Sequence, residues 1–130
     1  PAVRRSLLDA GIPESKILST SYGLDPDEIL GEGAADRGEG AVTAVFAGTI
    51  CVRKGVHLLL EAWQRADVDG RLLVVGRVSD ETKAFFSQKL SAHKGVVHLE
   101  FRKDLSRVLD EADFFVLPSL EEGSPLVTYL

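Results

Sequence analysis

Methionine is missing from all 130 residues, position 1 included, and cysteine occurs once, at Cys51. A lone cysteine excludes an internal disulfide and fits a reducing compartment. No apolar run approaches ~18 residues, so no segment is suited to cross a bilayer as a helix. The first residues lack the basic-then-apolar pattern of a secretory signal. Basic residues form no block: fifteen Lys and Arg stand against twenty Asp and Glu, a net charge of −5. Duplex nucleic acid needs a basic face, so it is not an expected partner. The GxGxxG spacing of dinucleotide folds is absent, and so are the GK[ST] ending of a phosphate loop, HExxH and paired CxxC. No metal site is therefore indicated. The missing methionine, and an ending at Tyr129-Leu130 inside a helical pattern, suggest a piece of a larger protein.

What is present reads as an α/β domain. The chain is 45% hydrophobic and 27% charged, enough for a real core. Residues 1–40 form a lead-in. Val3 to Ala10 has helical spacing, Gly11-Ile12-Pro13 stops it, Ile17 to Ser21 has a short strand pattern, and Tyr22 to Pro26 reads as a turn. Gly31 to Gly40 holds four glycines among acids, the composition of a linker or loop. From 41 to 130 a regular alternation follows: strand Ala41–Ala47, helix Gly55–Ala66, strand Arg71–Val75, helix Asp80–His93 capped by Asp80, strand Val96–Phe101, helix Asp104–Ala112, strand Asp113–Leu117, and a last helix opened by Ser124-Pro125. Strands apolar on both faces that alternate with helices argue for a parallel sheet covered on both sides, a Rossmann-like layout. Ligands in such sheets sit at the carboxyl ends of the strands, here Gly48–Lys54, Gly76–Ser79, Phe101–Lys103 and Pro118–Ser124.

Most chemically able side chains have plain readings. His57, His93 and His98 are scattered and fit solvated or half-buried histidines; Cys51 has no histidine at a fixed spacing; Trp63, with Leu59 and Leu60, fits core. Two places carry more. Arg53-Lys54 sits just before a helix whose N-terminus already bears partial positive charge, a placement that an anion would relieve. The alternative is two solvated loop cations. Pro118 to Pro125 leaves the last strand and enters a helix N-terminus, where the Gly123–Val127 amides could face a diphosphate and Gly123 would let the main chain approach. The alternative there is an ordinary strand-to-helix turn.

The run "VFAG…RKGVHLLLEAW…LLVVG…ADFFVLPSLEEGSPLVTY" resembles the C-terminal domain of retaining family 4 glycosyltransferases, which have the GT-B fold. "GIPESKILSTSYGLDPDE" resembles the segment that enters that domain. The resemblance implies a Rossmann-like domain that binds a nucleotide-sugar donor, truncated at its C-terminus. The acceptor (a saccharide, lipid or small molecule) would be held mainly by an N-terminal domain outside this sequence. It implies no cofactor and no metal. By the same resemblance Lys54 contacts the donor diphosphate. Glu122 matches the first glutamate of an E-x7-E motif and approaches the donor sugar. Gly123, Ser124 and Leu126 offer backbone amides. Gly76, Arg102 and Lys103 lie where base-binding loops occur. Gly48, Thr49 and Arg53 complete the donor contacts on the first loop, and Val127 those on the last.

Departures are visible. Many members have Arg where this chain has Thr49, so Arg53 stands in for that charge or Lys54 holds the phosphate alone. The second glutamate of E-x7-E would fall at Leu130. The expected activity of the parent is transfer of a sugar to an acceptor hydroxyl with retention, in the cytoplasm or at the cytoplasmic face of the membrane. The 130 residues alone are not expected to turn over. A non-catalytic nucleotide-binding module, an interaction domain working through Gly31–Gly40, and a GT-B-type sugar epimerase are the competing readings.

Overall fold

The computed structural model describes residues 2–20, 40–123, 125 and 127. Four strands, β1 Val42–Ala47, β2 Gly70–Val75, β3 Val96–Leu99 and β4 Phe114–Phe115, form one sheet in the order β3-β2-β1-β4. All pairings are parallel, with Val42 opposite Gly70, Val75 opposite Leu99, and Ala44 opposite Phe114. Helix α1 (Ala2–Asp9) precedes the sheet; α2 (Val56–Ala66), α3 (Lys83–Ala92) and α4 (Leu105–Asp110) connect its strands.

Alternating residues of the central strands feed two cores. Ala44, Phe46, Leu72 and Val74 pack with Val56, Leu59, Leu60 and Trp63 of α2 and with Phe86 and Leu90 of α3. Val45, Ala47, Leu73 and Val75 pack with Val108 and Ala112, while Leu105 and Leu109 close over them. A fully buried side chain of this kind contributes about 1.5–3 kcal/mol, and both faces of β1 and β2 are filled with them. The Rossmann-like expectation therefore holds, including the inward set of α4. The connections through α2 and α3 step one way across the sheet. The connection through α4 steps back, and α4 covers the opposite face, as crossovers of one hand require. β1 and β4 thus flank the point where strand order reverses, the place where open α/β sheets bind ligands.

Boundaries differ from the sequence pattern where a strand lacks a neighbour. β3 ends at Leu99 rather than Phe101, because β2 ends at its partner Val75. β4 is two residues rather than five, paired only with Ala44 and Val45. Ile17–Thr20 is not a strand: among the described residues no strand pairs with it, and Leu18 is 86% exposed. Asp80 does not cap a long helix. Residues Asp80–Thr82 form a 3-10 turn, Ser79 and Thr82 share a hydroxyl hydrogen bond of 2.7 Å, and α3 begins at Lys83. α3 ends at Ala92, since His93 is already extended. The turn at Tyr22–Pro26, the Gly-rich stretch apart from Gly40, and Ser124 and Leu126 of the last expected helix lie outside the described residues. Among residues 2–20 none is buried, although α1 forms where its spacing placed it.

Candidate functional site

The strand exits build the site. β1 leaves through Gly48-Thr49-Ile50 and β2 through Gly76-Arg77-Val78, and these segments run side by side through an isolated parallel bridge between Ile50 and Val78. They approach so closely that a Cβ on Gly76, at φ +140°, would stand 2.0 Å from the Gly48 carbonyl oxygen. Gly76 is thus required by packing inside the chain. Between these exits and the 101–105 segment lies a cleft of about 440 Å³. It is lined by Gly48, Thr49, Gly76, Arg77, Val78, Ser79, Phe101, Arg102, Leu105 and Val127, with Ala47 and Val75 at its floor.

Arg102 enters the cleft wall with its direction set. Its Nε and one terminal nitrogen donate to the two carboxylate oxygens of Asp104 at 2.9 and 3.0 Å. This fork holds the Asp104 carboxyl down at about 2 and raises the Arg102 guanidinium. A guanidinium has five N–H donors, so three remain for a ligand. Lys103, expected beside it, does not line the cleft.

A second cluster forms at the junction of β1 and β4. Gly55, at φ +67°, opens α2, and a Cβ there would lie 2.0 Å from the Pro118 carbonyl oxygen. Only glycine lets the exit of β4 pack against the start of α2. The contact aligns two loops. The Leu120 N–H donates to the Arg53 carbonyl at 2.9 Å, and the Arg53 guanidinium donates to the Glu121 carbonyl at 2.9 Å. The Lys54 ammonium pairs with the Glu122 carboxylate, which also accepts from the Ser119 hydroxyl at 2.7 Å. The Lys54 bond, then the Ser119 bond, holds the Glu122 carboxyl below its ordinary value.

Of the expected residues, Gly48, Thr49, Gly76, Arg102 and Val127 therefore meet in the cleft, and Arg53, Lys54 and Glu122 meet at the β1–β4 junction. The loop 48–55 spans both. The cations before α2 do not stand alone: a carbonyl of this chain faces the exposed Arg53, and a carboxylate faces Lys54. Gly123 follows directly, and a Cβ there would meet nothing within 4 Å. Arg77, Phe101 and Ser119 fall within the strand-exit ranges expected to hold a ligand but had no role of their own from the sequence, and Leu105 was expected only as an inward helix residue. Phe101, expected as the last residue of a strand, lies past the end of β3 and stands 67% exposed. Ser119 lies three residues before Glu122, the spacing that lets a hydroxyl meet a carboxylate. His57, His93 and His98 are half-buried, Cys51 is a free, half-buried thiol, and Trp63 is core. Among the described residues no group of three or more His, Cys, Asp or Glu clusters, and no helix is long and apolar enough to cross a membrane.

The model of the family described as "Glycosyl transferases group 1" matches residues 41–129. The chain belongs to this family. A comparison with curated proteins yields no match. Among solved structures, this group 1 domain is similar to one titled "lipopolysaccharide outer core galactosyltransferase WaaB apo form", at 17% identity and a TM-score of 0.63. The alignment covers 96% of this chain and 36% of that one. At this identity the likeness is one of fold, and the fold is the Rossmann-like sheet of a GT-B glycosyltransferase.

Proposed function

We propose that the chain is the donor-binding part of an enzyme that moves a sugar from a nucleotide-sugar to an acceptor hydroxyl, with retention at the anomeric carbon. The observation that carries this reading is the continuity of one loop, 48–55, between the cleft and the Lys54–Glu122 pair at the strand-order reversal. A nucleoside in the cleft would direct its diphosphate along that loop toward the N-terminus of α2, where backbone N–H groups and the helix dipole favour anions.

As the sugar leaves, charge builds on the β-phosphate. Preorganised donors aimed at that charge lower the barrier. Lys54 has three N–H donors and Glu122 takes one, so the ammonium is held in place with donors to spare. Glu122, kept ionised by Lys54 and Ser119, accepts hydrogen bonds and would orient sugar hydroxyls; it is not assigned as a nucleophile. Arg102, steadied by Asp104, serves the nucleoside end. Neither a metal nor a cofactor enters this scheme. The acceptor would be held mainly by a domain outside residues 1–130, with 41–130 as the donor domain, and the setting would be cytoplasmic.

The test is an amide NMR titration of the chain with UDP, GDP and ADP at low salt. Shifts confined to the loop 48–55, the cleft and residues 118–127, stronger for one base, support the reading and name the nucleotide. No shift with any of the three at millimolar concentration overturns donor binding by this chain.

A further inference from the structure

We infer that His98 is a positioning residue: its imidazole fixes the direction of the Gly76–Arg77 peptide, so that the Arg77 N–H is offered to a nucleoside in the cleft. The inference rests on the nucleotide reading of that cleft.

His98 sits on β3 opposite Val74, half-buried, and its Nε2 lies 2.9 Å from the Gly76 carbonyl oxygen. A carbonyl only accepts, so Nε2 must carry the proton. The tautomer protonated on Nδ1 alone cannot make this bond. The Gly76 N–H donates to the Leu99 carbonyl at 2.8 Å. Adjacent residues of β3 therefore hold both polar groups of Gly76. The leucine contact is a backbone bond any residue could supply. The histidine contact depends on the side chain.

A glycine needs such a hold more than other residues, because without a Cβ its flanking peptides turn at little cost. Gly76 must be glycine, since any Cβ would strike the Gly48 carbonyl. The stiffness lost at that position is restored from β3 by the imidazole. All described peptides are trans, which sets a carbonyl and the following N–H on opposite sides of the bond. With the Gly76 carbonyl turned to His98, the Arg77 N–H points the other way. His98 lines a groove against Ser87 and Leu90 of α3, whereas Leu105 and Val127 line the cleft on the α4 side. The Arg77 N–H is thereby turned from β3 toward the β1 exit, the side on which the Arg77 carbonyl accepts from the Ile50 N–H at 2.9 Å and on which Gly48 and Thr49 line the cleft, and among the described residues it makes no backbone hydrogen bond. An amide donor presented to a ligand reads an acceptor atom on the nucleoside and is indifferent to a distant phosphate.

The experiment uses the whole chain, as wild type, His98→Leu and His98→Gln, titrated by NMR with UDP, GDP, ADP and inorganic pyrophosphate. Histidine ring ¹⁵N spectra accompany it. The wild-type ring is expected to show its proton on Nε2. His98→Leu should weaken the best-bound nucleoside diphosphate roughly tenfold, the size of one lost hydrogen bond. Pyrophosphate binding should stay unchanged, and the Arg77 amide resonance should move. His98→Gln, whose amide places a donor near the Nε2 position, should recover most of the affinity. A wild-type ring protonated only on Nδ1 overturns the inference. So does a His98→Leu chain that binds nucleotide and pyrophosphate in the wild-type ratio. If His98→Leu does not fold, the ring tautomer and the affinity of His98→Gln decide. If no nucleoside diphosphate binds the wild type, the nucleotide reading falls, while the tautomer and the Arg77 amide still judge the latch itself.

Discussion

At the exit of β2, Gly76 presses on the Gly48 carbonyl so closely that no side chain fits; at the exit of β4, Gly123 faces open space and the loop before it is tied by Lys54, Arg53 and Ser119. Gly76 follows β2 directly, whereas Gly123 comes at the far end of the segment that leaves β4. The first is explained by packing within the chain and needs no ligand to account for it. The second meets no such packing constraint among the described residues. A glycine in a motif is thus evidence for a ligand only after the space around its missing Cβ has been inspected.

The largest expected effect separates the two directly. Gly76→Ala puts a Cβ against the Gly48 carbonyl at a strained φ and should cost about 3 kcal/mol or more. Gly123→Ala should leave stability within ~0.5 kcal/mol of wild type. Urea unfolding of both variants measures this, and equal losses would erase the distinction. Next in size is Lys54→Ala. Removing a charge-assisted donor should weaken nucleoside diphosphate binding roughly tenfold or more, with the fold intact. Unchanged affinity in that variant would remove Lys54 from the phosphate site and leave it as a tie between loops.

The smallest effect is on acidification. The Glu122 carboxyl is held below its ordinary value of 4.5 and that of Asp104 is held at about 2. A lowered folded-state value means that the native state favours the charged form. The stabilisation is therefore complete above the ordinary carboxylate range and is lost as pH falls through the folded values. Carboxyl ¹³C titration should show Glu122 ionising below 4.5 in the wild type and returning toward 4.5 in Lys54→Ala. A Glu122 that titrates at 4.5 in both would mean that the ion pair is not formed in solution.

Much of the architecture was legible because local pattern and tertiary outcome agree. Ala44–Ala47 and Leu72–Val75 are apolar at every position, and only burial on both faces satisfies such strands. Leu59, Leu60 and Trp63 share one stripe of α2, and Leu105, Val108 and Leu109 share one of α4. The misreadings fall where partners decide. Among the described residues, Ile17–Thr20 has strand-like residues and no strand beside it, and Phe114-Phe115 is paired on β1 alone. At the site, Arg53, Lys54 and Glu122 stood out as charges at strand exits. That they face one another across 68 residues did not, because nothing in a local window reports a long-range contact.

Composition, hydrophobic period and the placement of glycine and proline were enough to set the alternation of strands and helices, the two-sided cover of the sheet and the rim where a ligand would sit. These follow from short-range sterics and from the need to bury apolar faces. The tertiary structure alone decided the pairing of Lys54 with Glu122, the reason for glycine at 55 and 76, and the grip of His98 on Gly76. Each of these depends on which strands become neighbours, and strand order is a property of the folded chain as a whole.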